Sequence, residues 1–211
     1  MRTVCFVQAR LHSERLPGKI LMDICGKPML QHVVERAARI PGVDAVYILA
    51  GWGSATAIQR VIRHPQTLCW NLPQRDVFGR FHKAIAQTQP DYIVRVTGDC
   101  PLLNPEVGGR VVAEAKAHQV YATNDTTISG YPDGYDVQCF PVQTFRQMGM
   151  TALSDYDREH VCTWMDEHLP RRLVMAPYVP GPEHPKMSVD TLEDLERVRG
   201  ILAHEHVKHI H

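Results

Sequence analysis

Short continuous apolar runs alternate along this chain with longer stretches in which apolar residues recur every three or four positions. That alternation predicts an α/β fold built from strand, helix, strand units. Residues 4–7 (VCFV) form the first buried run. Leu30, Val33, Val34, Ala37 and Ala38 then fall on one helical face, opened by Gly26 and Pro28 and closed at Pro41-Gly42. Residues 45–50 predict a second strand, followed by a helix with Ala55, Ile58 and Ile62 inward and a short strand at 68–70. A further helix carries Val77, Phe78, Phe81 and Ile85. Residues 92–97 predict a strongly apolar strand, and Val107, Val111 and Ala115 give another inward face. Regularity fails from about residue 124, where TNDTTISGYPDGYDV is rich in turn-forming residues and predicts a loop-rich insert over about 124–136. Beyond it, residues 137–140 and 172–176 predict strands, with a helix between them striped by Val161, Trp164, Met165 and Leu169. The Pro-rich segment 178–186 reads as a linker. Thr191 with Asp194 then caps a last helix bearing Leu192, Leu195, Val198 and Leu202.

A length of 211 residues fits one compact domain. Lysine plus arginine equals aspartate plus glutamate, 23 of each, so there is no global basic field of the kind that gathers nucleic acid or anionic membranes. No apolar run approaches the ~20 residues of a membrane span, and the amino terminus enters a strand without a signal-peptide pattern, which together predict a cytoplasmic protein. Six cysteines include no C-x-x-C pair, and several sit in apolar segments as small buried side chains, so neither a disulfide framework nor a zinc ribbon is indicated. The histidines of the tail, His204, His206, His209 and His211, read as a polar terminus, with a metal site as the alternative.

Within this neutral chain, residues 8–19 (QARLHSERLPGK) concentrate Arg10, Arg15 and Lys19 at the carboxyl end of the first strand. Ligands of open α/β sheets bind outside that end, and such cations hold phosphate or carboxylate oxygens; a solvated basic loop is the plainer alternative. The strand at 92–97 delivers Gly98, Asp99, Cys100 and Pro101 to the same rim. A bare carboxylate beside phosphate is repulsive, so Asp99 reads either as a Mg²⁺ ligand or as an ordinary turn residue. Asp190 reads as a second ligand or as a helix-terminal charge. Two further clusters could face a hydroxyl-rich acceptor: Asp133 and Asp136 around Gly134, and Glu159 with His160. Their plainer roles are a hairpin turn and a charged first helical turn. No Walker-type loop, nucleophile elbow or H-E-x-x-H pair is present. The sequence AGWGSAT (50–56) has Thr56 where a dinucleotide fingerprint needs Gly or Ala.

The segments QARLHSERLPGK, GKPMLQHVVERA, VTGDCPLL, YPDGYDV, DREHV and VDTLEDLERV, taken in order, resemble the cytidylyltransferase superfamily of bacterial surface-sugar synthesis, with the branch of spore-coat polysaccharide biosynthesis proteins nearest. The resemblance implies a nucleotide-diphospho-sugar transferase fold: a three-layer sandwich with a mixed, mostly parallel sheet. It implies Mg²⁺-dependent transfer of CMP from CTP to a sugar acid or related glycan precursor, release of pyrophosphate, and a homodimer. Carried over by motif, Ala9, Arg10, Ser13, Arg15, Lys19, Asp76 and Thr97 resemble the nucleotide contacts. Asp99 and Asp190 look like the metal ligands, Arg10, Lys19 and Asp99 the catalytic set with Lys19 on the pyrophosphate, and Asp133, Asp136, Glu159 and His160 the acceptor side. Ala50, Gly51, Trp52 and Gly53 stand where the family commonly continues with Ala-Thr or Ala-Ser. The alternatives are another nucleotide or acceptor on the same fold, and a non-catalytic nucleotide-binding protein.

Overall fold

A computed structural model describes residues 1–62, 67–70, 72–177 and 185–208, the last four of these by backbone alone. Strand β1 (Thr3–Ala9) lies inside the sheet and is buried on both faces, which is why its apolar residues run on without alternating with polar ones. It pairs in parallel with β4 (Ala45–Ala50) and with β6 (Tyr92–Thr97), and β4 pairs in parallel with β5 (Thr67–Cys69). On the other side of β6 the sheet turns mixed. There β8 (Gln138–Pro141) runs antiparallel to both β6 and β7 (Tyr121–Thr123), and β7 is parallel to β9 (Arg171–Leu173). The order across the sheet is β5-β4-β1-β6-β8-β7-β9.

Alternate residues of the central strands feed two cores. Cys5 and Val7 of β1 and Val94 and Val96 of β6 join α1 (Met29–Ala37), α2 (Ala55–Val61) and α4 (Pro105–His118). Val4 and Phe6, with Ile93 and Phe140, join α3 (Val77–Thr88), α5 (Val142–Met148) and α7 (Cys162–His168). The result is the three-layer, mostly parallel sandwich that the sequence implied. A third, smaller cluster ties Leu16 of the first loop and Leu102 to Leu195, Val198 and Leu202 of α8 (Leu192–Lys208).

Helix starts follow their local chemistry. Asn104 accepts from the backbone N–H groups of Glu106 and Val107, with Pro105 in the first turn of α4. Ser154 and Asp157 form a reciprocal capping box at α6 (Asp155–His160), and Thr191 and Asp194 exchange the same kind of bonds before α8.

Three differences from the expected elements have physical causes. Residues 22–28 hold a small antiparallel hairpin, β2 (Asp23–Ile24) and β3 (Lys27–Pro28), before α1 begins. Its strands are too short to show a period, and Cys25 and Gly26 turn it with φ of 52° and 82°. Strand β7 is likewise three residues long, fully buried, and carries no alternation. The strand expected at 172–176 is found one residue earlier and is shorter.

All six cysteines are free. Burial pushes the Cys5 and Cys100 thiols well up and those of Cys139 and Cys162 to about 12 and about 11, as expected of packing residues. Among the described residues no helix is long and apolar enough to cross a membrane. Residues 178–184 of the Pro-rich segment, and His209 and His211 of the tail, lie outside the described residues.

Candidate active site

The chain reverses its lateral direction between β1 and β6, going first to β4 and β5 and only then to the other side. Such a switch point leaves a crevice at the strand carboxyl ends. A cleft of about 850 Å³ opens there, with Gln8 from the end of β1 and Thr97 from the end of β6 in its lining.

The first loop is held in shape from within. Gly18, at φ 72°, donates its N–H to the Leu11 carbonyl at 2.8 Å, Leu16 is buried, and the Ser54 hydroxyl accepts from the Leu11 N–H at 3.4 Å. This anchoring leaves Arg10 and Arg15 exposed at the cleft, while Lys19 is buried. The Lys19 ammonium donates to Asp99 Oδ2 at 2.8 Å, to Asp190 Oδ1 at 2.9 Å and to the Val189 carbonyl at 2.7 Å. An ammonium has three protons, and all three are used. Contact between Lys19 and a pyrophosphate would therefore require one of these bonds to be given up.

Asp190 reaches this place on a strap. Val189 N–H donates to the Asp99 carbonyl at 2.9 Å and Met187 N–H to the Asp133 carbonyl at 2.7 Å, so the segment before α8 is laid against the ends of β6 and the insert. Gly134 permits that approach: at φ 102°, a Cβ here would stand 2.4 Å from the Ser188 nitrogen. Burial works against charge on Asp190, yet hydrogen bonds from Lys186 and Lys19 outweigh it and hold the carboxyl below its ordinary range. Arg15 adds a third cation at 2.9 Å. The sign conflict between carboxylates and an anion site is thus already answered by lysine and arginine.

Two carboxylates on either side of one cation position suit a hard divalent ion that keeps water and phosphate oxygens as its other ligands. Among the described residues no group of three or more His, Cys, Asp or Glu side chains gathers to hold a metal, so Asp99 and Asp190 would be the protein's share of such a site.

The other wall is set by the insert and α6. Asp136 accepts from Thr126 and from the Gly134 N–H, so it braces the insert as it lines the cleft. Asp133 accepts from the Ser188 hydroxyl at 3.1 Å, and burial raises its carboxyl above the usual range. Glu159 lies 3.2 Å from Arg10 and 3.8 Å from Arg75, and His160 lines the cleft beside it.

Asp76 has a different setting: it caps α3 through the Gly79 N–H at 2.9 Å, pairs with Arg158 at 2.8 Å, and faces a smaller neighbouring depression of about 530 Å³. Ala9 is buried beneath the rim, while Ser13 and Thr97 line the cleft. Trp52 is 64 % exposed and outside the cleft lining; only its carbonyl takes part, accepting from Gln74 at 3.5 Å.

Sequence reasoning passed over Gln8, Gln74, Arg80, Arg95 and Gln138, all in the lining. Arg80 is 1 % exposed; its Nη1 donates to the Pro73 and Gln74 carbonyls, while Nε and Nη2 are buried without partners among the described residues. Burial lowers its pKa. The available signal was a charge inside an apolar pattern: Arg80 falls on the inward stripe of α3, three after Val77 and four before Ala84, and Arg95 interrupts the strand YIVRVT.

Known proteins share both this fold and this sequence pattern. A 3-deoxy-manno-octulosonate cytidylyltransferase of Hydrogenovibrio crunogenus is 37% identical over 125 residues, covering 56% of this chain and 48% of that protein. The match thus spans about half the length of that relative. A solved cytidylyltransferase from Leptospira borgpetersenii superposes with a TM-score of 0.87 at 22% identity, covering 97% of this chain and 87% of the other. A CMP:2-keto-3-deoxy-manno-octonic acid synthetase solved with CTP superposes with a TM-score of 0.72 at 19% identity, covering 97% and 100%. Residues 4–179 match the sequence profile of the Cytidylyltransferase family, and on that match the chain belongs to the cytidylyltransferase family.

Proposed function

We propose that the protein transfers CMP from CTP to a hydroxyl of a sugar acid of the 3-deoxy-manno-octulosonate kind, with Mg²⁺ bound and pyrophosphate released. One observation carries this reading: Asp99 and Asp190, 91 positions apart, meet at Lys19 beside the exposed Arg10 and Arg15, at the switch point of a fold shared with cytidylyltransferases. Arg10 and Arg15 would receive the triphosphate oxygens, and Lys19 would hold the two carboxylates in place. The acceptor hydroxyl releases its proton to solvent as its oxygen bonds to the α-phosphorus and the bond from that phosphorus to the β-phosphate bridge breaks, and the cations offset charge on the leaving pyrophosphate. A Mg²⁺ held by Asp99 and Asp190 supplies further charge neutralisation on the phosphates. Asp133, Asp136, Glu159 and His160 form the acceptor side. A homodimer belongs to the proposal by family resemblance and the irregular insert, and a cytoplasmic place by the sequence pattern; light scattering that gave a monomer mass would contradict the dimer.

Pyrophosphate release with each of the four NTPs, Mg²⁺ and a panel of sugar acids tests the reading. Turnover is expected with CTP alone and lost in D99A. CTP turnover that survives D99A defeats the metal assignment, and Mg²⁺-dependent binding without turnover on any acceptor favours a non-catalytic protein.

A further inference from the structure

The cleft floor holds polar groups that neither the first loop nor the carboxylate pair uses. Gln8 and Arg95 both line the cleft, and the Nε of Arg95 and the Oε1 of Gln8 are buried and take no hydrogen bond among the described residues. Gln8 stands opposite Thr97, and Arg95 stands opposite Phe6, so Gln8 and Arg95 are diagonal neighbours on one face of adjacent strands, within reach of long side chains. Gln138 of β8 stands opposite Arg95 and accepts a hydrogen bond from its Nη1 at 2.8 Å, which tethers the guanidinium. An arginine over a layer that contains Phe6 and Phe140 is a costly choice for a strand unless a ligand meets it.

We propose that Gln8, Arg95 and Gln138 form the head-group subsite of the acceptor, taking a carboxylate with an adjacent hydroxyl and so selecting hydroxy acids over neutral sugars. This rests on the acceptor reading above and adds the residues and the chemistry that would enforce it. The unpartnered Nε of Arg95 would donate to a carboxylate oxygen that reaches the floor. Gln8 Oε1 is an acceptor, so it needs a donor: a hydroxyl beside that carboxylate supplies one, whereas an ionised phosphate offers oxygens alone. Nearby carboxylates do not cancel the site. Asp136 accepts from Thr126 and Gly134, and Glu159 faces Arg10 and Arg75. Arg95 lies on β6, two residues before its end at Thr97 and four before Asp99, which puts the bound hydroxyl near the rim where the triphosphate is expected.

The test is equilibrium titration of the full chain, with Mg²⁺ and a non-hydrolysable CTP analogue, against 3-deoxy-manno-octulosonate, N-acetylneuraminate and the carboxamide of each. The native protein should bind at least one acid about tenfold more tightly than its amide. R95Q should erase that preference while leaving affinity for the CTP analogue unchanged, and R95K should restore part of it. An equal loss for acid and amide would mean that Arg95 only orients Gln138, and a loss of nucleotide affinity would assign Arg95 to the CTP half. Either result overturns the subsite, as does a native protein that binds neither acid better than its amide. An acid preference that R95Q erases in a protein that turns over no CTP would uphold the subsite and defeat the nucleotidyl-transfer reading instead.

Discussion

Lys19 Nζ lies 2.8 Å from Asp99 Oδ2, and the same ammonium bonds Asp190 at 2.9 Å, so one buried lysine joins the end of β6 to the strap before the last helix. The pairing converts three scattered motifs into one site. It also makes Lys19 an internal counter-ion, a role distinct from that of the exposed Arg10 and Arg15.

K19M should therefore destabilise the fold by about 2 kcal/mol, less than the full cost of breaking a buried pair because Asp99 is 30 % exposed. If Asp99 and Asp190 can share a cation, Mg²⁺ should raise the melting temperature of K19M more than that of the native protein. Thermal unfolding with and without Mg²⁺ checks both points, and a variant indifferent to the ion counts against a shared site.

Arg10 is held by Glu159 at 3.2 Å while half exposed, and a triphosphate would compete for the same guanidinium. E159Q should tighten CTP binding by up to about fivefold at low salt, the ratio that a surface pair of about 0.2–1 kcal/mol allows, and the gain should shrink at high salt. Nucleotide titration without acceptor measures it; weaker binding would place Glu159 on the nucleotide itself.

At Gly134 both the positive φ and the strap oppose a side chain, since a Cβ would lie 2.5 Å from the Met187 carbonyl carbon. G134A should cost about 1–3 kcal/mol and lower the affinity for Mg²⁺, because the strap that carries Asp190 must shift. Unchanged denaturant midpoint and Mg²⁺ affinity would show that the strap has another anchor.

His32 is buried, and its Nε2 lies 2.7 Å from the Ile24 carbonyl, which clamps the hairpin that follows the first loop. Burial lowers its pKa below the ordinary 6.5, more than the Ile24 bond raises it. The neutral ring is thus the form that the fold prefers. Its contribution is fully present above about pH 6.5 and is lost as pH falls through the lower folded value. H32Q, which keeps a donor for Ile24, should flatten that part of the stability profile between about pH 7 and 5. A native profile that is flat over this window, or one that H32Q leaves unchanged, would show that His32 does not couple to folding.

The fold was legible because its signals are local. Alternation of buried runs with helical stripes marked β1, β4, β6 and four of the larger helices, and Asn104-Pro105 and Thr191 with Asp194 marked helix starts through bonds spanning no more than a few residues. Elements of two or three residues, β2, β3 and β7, carry no period and became visible only where partners met them. In the candidate site, the cations of residues 8–19 and the Gly98-Asp99 turn stood out as motifs. Arg80 and Arg95 did not, since a single charge in an apolar stretch has meaning only once its surroundings are known.

By itself the sequence determined which residues face the cores, where the chain turns, and which charges stand at strand ends, because side-chain period and turn chemistry act over a few residues. Only the tertiary structure decided what those charges meet. That Lys19 lies between Asp99 and Asp190, that Arg10 meets Glu159, and that Asp76 pairs with Arg158 all depend on contacts between segments 80 or more positions apart. Such distances are closed by strand pairing and by a glycine that lets the strap approach, and no local pattern encodes them.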